Sequence, residues 1–406
     1  MGMVVHQNVS QCLTLAGVAR KRGRRPEECD LGLIENAAIA LDTDSGTVEW
    51  VGPQNELPAR YRSAAETIDG SGWIVMPALV ECHTHLIHAG DRSRDYSLRA
   101  AGLTYQQVAR AGGGILSTLA HTRAASPDAL FERALVDIAR FEKDGVGCIE
   151  IKTGYGLSLE SEIRILECVA RLRSRVSARL VATFMPAHAT PPEFEGRTQA
   201  YVDTICREWI PAVSSRKLAE FFDVFIEEGY FSLAQGAQLC EAARSHGLGI
   251  KIHGEQFHEL GSATLGADLG ATSVDHLDHL SENGITRLAA SETVAVLLPG
   301  ASLYTGTPFP PARALINAGA RVALSTDYNP GTCPSRNLPL MTTLACSQMR
   351  MTVPEALAAV TYNAAAALGL EDRMGSLEPG KSSSLCRFRA GSYHRLTYCF
   401  GEMETT

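Results

Sequence analysis

The sequence predicts an α/β protein: a (β/α)8 barrel of the TIM type, with a small β-rich composite domain formed by both chain ends. Three observations predict it. Eight short apolar runs alternate with longer amphipathic segments from residue 74 onward. Nearly every run ends in a polar or reactive residue, and barrels of this kind carry their chemistry at the carboxyl ends of the strands. The amino-terminal flank reads as short strands and turns, and the carboxyl-terminal flank, after a further helix, ends in a turn and a strand that return to it. We therefore expect a barrel over 74–345 and a small domain from 1–73 with 346–406.

In the amino-terminal part, LGLIENAAIALD, TVEWVG and WIVM are short strands between 31 and 75, divided by turn signals such as Asp44-Ser45-Gly46. The barrel runs are IVMPALVE (74–81), VGCIEIKTG (146–154), RLVATFMPAH (179–188), FFDVFIEEG (221–229), LGIKIHGEQ (248–256), ATSVDHLDH (271–279), TVAVLLPG (293–300) and RVALSTDYNP (321–330). Near-continuous apolar runs suit strands buried on both faces. Between them, SPDALFERALVDIARFEKDG opens on the N-cap Ser126 and a first-turn proline. It carries apolar residues at Leu130, Ala134, Leu135, Ile138 and Phe141 and stops at Gly145. Past residue 345, Pro354 opens another helix, and GSLEPGKSSSLCRF reads as a turn and a strand returning to the amino-terminal piece. An open doubly wound sheet is the competing fold. It would gather its chemistry at one switch point, whereas here polar groups end nearly every run.

Composition narrows the function. The 406 residues carry a net charge of −8, which argues against nucleic acid or an anionic membrane as partner. RKRGRR (20–25) is the densest basic block; acidic residues follow it, and it reads as a solvated loop. No run approaches the ~20 apolar residues of a membrane span, and the order of basic and apolar segments at the amino terminus is wrong for a secretory signal. Eleven scattered cysteines without a CxxC pair suit reduced thiols and a cytoplasmic location.

The chemistry concentrates at the strand ends: His83 and His85, Lys152 and Tyr155, His188, Glu227, His253, His276 and Asp327. Side chains in a strand repeat every two residues, so His83 and His85 point the same way. Alone, an HxH pair is a weak signal. With His253, His276 and Asp327 ending the fifth, sixth and eighth runs around one cavity, the set suits zinc or ferrous iron. His88 and His279 lie just past strand ends and read as structural. His6, His121, His246, His258 and His394 receive no role. RAGGGI (110–115) lacks the spacing and lysine of a phosphate loop and reads as a flexible loop at the mouth. Cys82, by strand parity, points away from His83 and packs.

These residues resemble a known family. HTHLIHAGDR (83–92), AGLTYQQVARAGGGI (101–115), IEIKTGYGL (149–157), PAHATPPEF (186–194), KIHGEQ (251–256), DHLDHL (275–280) and STDYNPG (325–331) resemble the imidazolonepropionase branch of the amidohydrolase superfamily, over about residues 30–380. The resemblance implies a metal-dependent hydrolase barrel, in family members a homodimer, that opens the ring C–N bond of 4-imidazolone-5-propanoate to give N-formimidoyl-L-glutamate, a step of histidine degradation. It implies one metal, zinc or iron, on His83, His85, His253 and Asp327. It implies substrate contacts from Arg92, Tyr105, Tyr155, His188, Gln256, His276, Asn329, Gly331 and Thr332. Asp327 would move the proton, His276 would polarise the carbonyl, and Arg92 would pair with the propionate. Gln256 completes the catalytic set. FFDVFIEEG offers no lysine, whereas binuclear relatives bridge two metals with a carboxylated lysine on the fourth strand; this favours one metal.

Two departures stand out. Ser384 replaces the aspartate expected in GKxAD, which puts the last strand of the small domain in doubt. Gln256 stands where related deaminases carry glutamate, which separates this chain from deaminases. Plain strand parity would instead point Glu255 toward His253, and the resemblance favours Gln256. The alternatives are another mononuclear amidohydrolase, such as a heterocycle deaminase, and a non-catalytic barrel that binds a small ligand.

Overall fold

The computed structural model describes residues 2–402 apart from 63, 65, 104–106 and 109–111. The first sheet begins with β1 (Met3–Leu13) and β2 (Leu33–Asp42), antiparallel from Met3 opposite Asp42 to Leu13 opposite Leu33, with a register shift between His6 and Val9. The turn read at Asp44-Ser45-Gly46 leads into β3 (Thr47–Pro53), and the Asp42 carboxylate accepts the amides of Asp44 and Ser45 there. β4 (Glu66–Asp69) and β5 (Trp73–Pro77) run parallel to β1. The strand β1 was not anticipated from the sequence, because polar residues interrupt MVVHQNVSQCL. Its apolar side chains Val5, Val9 and Cys12 are nonetheless fully buried.

The apolar run at 74–81 divides. Its first part, β5, belongs to the small sheet, and β6 (Leu79–Glu81) starts the barrel. Ala78 lies between them and donates its amide to Ser384 O at 3.0 Å. The serine that replaces the expected aspartate does not prevent the last strand. β14 (Leu385–Arg389) pairs antiparallel with β5, so the small sheet is formed by both chain ends.

The barrel strands follow in chain order: β6, β7 (Val146–Lys152), β8 (Arg179–Ala187), β9 (Phe221–Ile226), β10 (Gly249–Gly254), β11 (Ser273–His276), β12 (Val294–Leu297) and β13 (Arg321–Leu324), each parallel to the next. The seam between β13 and β6 is closed differently. The Glu81 carboxylate accepts the Ser325 hydroxyl, the Thr326 amide and the His83 amide. Beyond the strand ends, Thr84 bridges Tyr328, and His85 N donates to Tyr328 O at 2.9 Å.

Around the barrel, the helix Pro127–Lys143 starts where the sequence places it. Ser126 accepts from Ala129 N, and Leu130, Ala134, Ile138 and Phe141 are buried. Inside, the barrel departs from the usual packing of branched aliphatic layers. Glu150 and Lys152 of β7, Thr183 of β8, Asp223 of β9, Lys251 of β10, and Ser273 and Asp275 of β11 are all fully buried.

The basic block at 20–25 is solvated at Arg20, Lys21 and Arg22, as its sequence reads, but Arg24 and Arg25 are tied down. Arg24 donates to the carbonyls of Ala289, Ser291 and Gly319, and Arg25 to those of Ile316 and Asn317. These carbonyls lie at or just beyond the ends of the helices Glu282–Ala289 and Ala312–Ala318, where unpaired acceptors and the negative end of the dipole favour a cation. Gly23 fits the same junction. A Cβ there would sit 1.6 Å from Asn363 Oδ1, and the Asn363 amide donates to both Gly23 O and Val322 O. We predict that Arg24→Ala lowers unfolding stability by about 2 kcal/mol, since hydrogen bonds from a charged donor contribute ~1.5–3 kcal/mol each and water replaces part of them. Chemical denaturation of the two proteins measures it, and equal stabilities would contradict the clamp.

Candidate active site at the carboxyl ends of the barrel strands

His83 and His85 leave the end of β6 and turn their rings toward one cavity, as their spacing implies. Each ring is held from behind. His83 Nδ1 lies 2.6 Å from Asp275, His253 Nδ1 lies 3.0 Å from Asp223, and His85 Nδ1 faces Thr153 O at 3.3 Å. An acceptor behind each Nδ1 puts the proton there and leaves Nε2 with its lone pair free. His85 Nε2 and His253 Nε2 face each other at 3.2 Å. His83 Nε2 is buried without a hydrogen-bond partner among the described residues and lies 3.4 Å from Asp327 Oδ1.

Electrostatics keep the rings of His83 and His85 neutral. Burial, then the Lys152 ammonium, drives the His83 pKa well below the ordinary histidine range; burial, then His188, does the same to His85. Burial also pushes Asp327 up to about 8, against hydrogen bonds from Thr332 and Asn329. Three imidazole lone pairs beside a carboxylate that would otherwise hold a proton form a donor set that suits a divalent cation. His83, His85 and His253 bring their ligand atoms within 4.8 Å of one another, as do His83, His276 and Asp327.

Three strand ends reach the cavity through left-handed backbone. Glu255 has φ 57°, His276 φ 81° and Asp327 φ 56°. Such conformations are costly for residues with a Cβ and gather at functional sites. The turn at Glu255 resolves the question of parity. Its carboxylate accepts from Ala263 N, away from the cavity, and Gln256 lines the cavity instead.

The cavity is lined by His85, Arg92, Tyr155, His188, His253, Gln256, His276, Asp327, Asn329 and Thr332, with Ile115, Phe225 and Phe257 as an apolar wall. His83 lies fully buried beneath it. Arg92 is buried; its Nε donates to Thr118, and its Nη2 has no partner among the described residues. His276 Nδ1 is likewise buried without one. His188 stacks on His85 with ring centroids 4.7 Å apart, and burial lowers its pKa to about 3. Tyr155 packs against both rings.

Asn329, Gly331 and Thr332 form a turn that braces Asp327. Asn329 Oδ1 accepts the amides of Gly331 and Thr332, and Thr332 donates its hydroxyl to Asp327. Gly331 is not a lining residue. It backs Arg92, and a Cβ there would come within 2.3 Å of the guanidinium. Tyr105 lies outside the described residues. His88 bonds His85 O and Arg133, His279 bonds Gln256 O, and Cys82 is buried against Leu324 O, all consistent with packing roles.

Sequence reasoning missed the residues that hold the rim. Glu162 is buried in the helix Leu159–Leu172 and accepts the amides of Gly154, Gly156 and Leu157, fixing the loop that presents Tyr155. Glu227 accepts the amides of Phe257 and His258 and pairs with the His258 ring at 2.7 Å, fixing the loop that presents Gln256. Asp95 accepts Gly114 N in the glycine loop. Of these, only Glu227 gave a signal, as a polar residue closing a strand run. The apolar wall residues had none.

The sequence model of the Amidohydrolase family matches residues 106–392. An imidazolonepropionase of Polaromonas sp. is 44% identical over 92% of this chain and 88% of its own length. One from Geobacillus kaustophilus is 43% identical over 96% and 92%, and one from Chloroflexus aggregans 44% over 99% and 95%. Among solved structures, an adenosine deaminase from Xanthomonas campestris with bound zinc superposes with a TM-score of 0.71 at 18% identity, covering 99% of this chain and 90% of that one. The zinc-bound atrazine chlorohydrolase of Arthrobacter aurescens gives 0.68 at 16%, covering 98% and 91%. At these identities the two structures establish the fold alone.

The His258–Glu227 pair yields a pH prediction. The hydrogen bond that His258 donates to Glu227 raises the His258 pKa above 6.5, against a smaller effect of burial. A raised pKa means the pair is fully formed below 6.5 and is lost as pH climbs through the folded value. An NMR titration should place the His258 midpoint above 6.5 and bring it back toward 6.5 in Glu227→Gln. A midpoint at or below 6.5 in the unaltered protein would contradict the pairing.

Proposed function

The chain belongs to the imidazolonepropionase family of amidohydrolases, and from that premise we propose that it hydrolyses the ring C–N bond of 4-imidazolone-5-propanoate to N-formimidoyl-L-glutamate. The observation that carries this reading is one cavity with two unmet demands. It holds inward-facing imidazole nitrogens beside Asp327, and a buried guanidinium whose Nη2 lacks a partner among the described residues. The first suits a metal and the second suits a carboxylate, which the substrate carries as its propionate.

We assign His83, His85, His253 and Asp327 as ligands of one divalent ion, zinc or iron. When bound, the ion supplies Lewis-acid activation of water at neutral pH. Arg92 binds the propionate by charge-assisted hydrogen bonds, and Gly331 leaves the room its guanidinium needs. Tyr155 and His188 hold the substrate from the side of β7 and β8. Ile115, Phe225 and Phe257 keep bulk water off the ring. His276, neutral because burial holds its pKa far down, donates to the carbonyl oxygen as it gains charge. Asp327 accepts the proton of the attacking water and returns it to the leaving ring nitrogen, while the water oxygen stays on carbon and becomes part of the new carboxylate. Gln256 has no proton to give at neutral pH. It serves as a hydrogen-bonding group, which sets this site apart from a deaminase with glutamate there. No helix among the described residues is long and apolar enough to cross a membrane, and the reading places the enzyme in the cytoplasm as a homodimer.

Freshly prepared 4-imidazolone-5-propanoate should lose its ultraviolet absorbance in the presence of the protein, with about one metal bound per chain. Ammonia release from amino-heterocycles without loss of that absorbance would replace this reading with deamination. Metal binding and turnover should vanish together in His83→Ala. Arg92→Ala should keep its metal and lose roughly 10- to 100-fold in kcat/KM, mostly through KM, because a hydrogen-bonded charge contributes about 1.5–3 kcal/mol and the propionate is held alike in ground and transition states. An unchanged KM would remove Arg92 from the substrate site.

A further inference from the structure

Below the histidines lies a cluster that the proposed reaction does not use. Lys152 is fully buried on β7, with Nζ 2.8 Å from Asp223 Oδ2, 2.9 Å from Glu150 Oε2 and 3.4 Å from Asp275 Oδ2. The two aspartates are the groups that hold the rings of His253 and His83. The same Asp275 oxygen that meets His83 Nδ1 also meets the ammonium, and Ser273 donates to the other oxygen at 2.6 Å. Asp223 places one oxygen on His253, ring and amide, and the other on Lys152. A second ammonium, Lys251, is buried beside it. It pairs with Glu150 at 3.0 Å and donates to Cys82 O and Ala367 O, but it touches neither aspartate.

Asp223, His253 and Asp275 also bring ligand atoms close enough to hold a cation. The Lys152 ammonium already fills that role. Three carboxylates against two ammoniums leave the cluster one negative charge in excess, directly beneath the imidazoles. Without Lys152 the two aspartates would repel each other in a dry interior and turn away from the rings they orient.

We propose that Lys152 is a positioning residue for the metal site: its ammonium clasps Asp223 and Asp275 and so aims the Nε2 lone pairs of His253 and His83 at the ion. It acts on the ligands through the aspartates and does not touch substrate. The inference rests on the reading of His83, His85, His253 and Asp327 as ligands.

The test uses the whole protein, with Zn2+ and Co2+ as probes. Lys152→Met keeps the length and apolar stem and removes the charge. Its Zn2+ dissociation constant, from competition with a chromophoric chelator, should rise about 10- to 100-fold, as found for residues that orient metal ligands. The visible spectrum of the Co2+ form should change, and kcat should fall more than KM rises. Lys251→Met is the matched control. It empties an equally buried ammonium and shares Glu150, so a general loss of packing would move it as much; it should instead keep the metal affinity and cobalt spectrum of the unaltered protein. Lys152→Gln, polar and uncharged, carries the same expectation should the methionine variant not fold. A folded Lys152 variant with unaltered zinc affinity and cobalt spectrum would overturn the proposal. So would failure of both Lys152 variants to fold while Lys251→Met folds, since Lys152 would then be a structural part of the core. An unaltered protein that binds neither metal would instead sink the ligand reading itself.

Discussion

The aim of the histidines at the mouth of this barrel depends on the Lys152 clasp among charges sealed along its axis. Glu150, Lys152, Asp223, Lys251 and Asp275 are all fully buried, in a place that barrels of this type usually fill with branched aliphatic side chains. Isolated, any one of them would be strongly destabilising there. Together each ammonium meets at least one carboxylate within 3.0 Å, and hydroxyls of Thr183 and Ser273 complete the set. Lys152 shows the balance. Burial opposes its charge, but Asp223, Glu150 and Asp275 outweigh burial and raise its pKa. Geometry of this kind is rigid, because any member that moves leaves another charge unpaired. At Asp223 and Asp275, which hold the rings of His253 and His83, the Lys152 clasp becomes precision at the histidines above, while Lys251 meets Glu150 and neither aspartate.

The loops follow the same logic on a smaller scale. Each is tied by one buried carboxylate that collects backbone amides: Glu81 at the seam, Glu162 behind the Tyr155 loop, Glu227 behind the Gln256 loop. A carboxylate accepts several hydrogen bonds at once, so a single side chain replaces a stretch of missing ladder. Two of the left-handed residues sit beside such ties: Asp327 follows the Thr326 amide held by Glu81, and Glu255 lies two residues before the Phe257 amide held by Glu227.

Much of this was legible in the sequence. Apolar runs separated by amphipathic segments announce the barrel, and the polar residue closing each run announces the site, because strand ends are where the chain must leave the core. What stayed hidden has physical causes. Parity misplaces Glu255 because the chain departs from extended geometry one residue after β10, and nothing local in HGEQ signals a positive φ. The run at 74–81 looks like one strand because both halves are equally buried, although in different sheets. RKRGRR is solvated over its first half, but the tethers of Arg24 and Arg25 stay hidden because their acceptors are helix-terminal carbonyls far away in the chain. The axial charges were in view as single polar letters inside apolar runs, the E and K of CIEIK, the D of FFDVFI, the K of GIKIHG and the D of SVDH. Their partners lie on neighbouring strands, which no single run displays.

The pairing of β14 with β5 has a consequence for how the molecule comes into being. The two strands are neighbours in one sheet, yet the whole barrel lies between them in the chain. A growing chain therefore presents β5 with an open edge until the carboxyl-terminal strand arrives, and exposed edges are where strands from different molecules join. The contact is among the most non-local in the fold, and pairing of this kind is intrinsically slow. β14 then takes the edge position itself, and its Arg387 and Arg389 put charge there, which discourages the addition of a foreign strand. Interruption of synthesis before residue 385 leaves a chain that has every group of the site and an unprotected edge beside it.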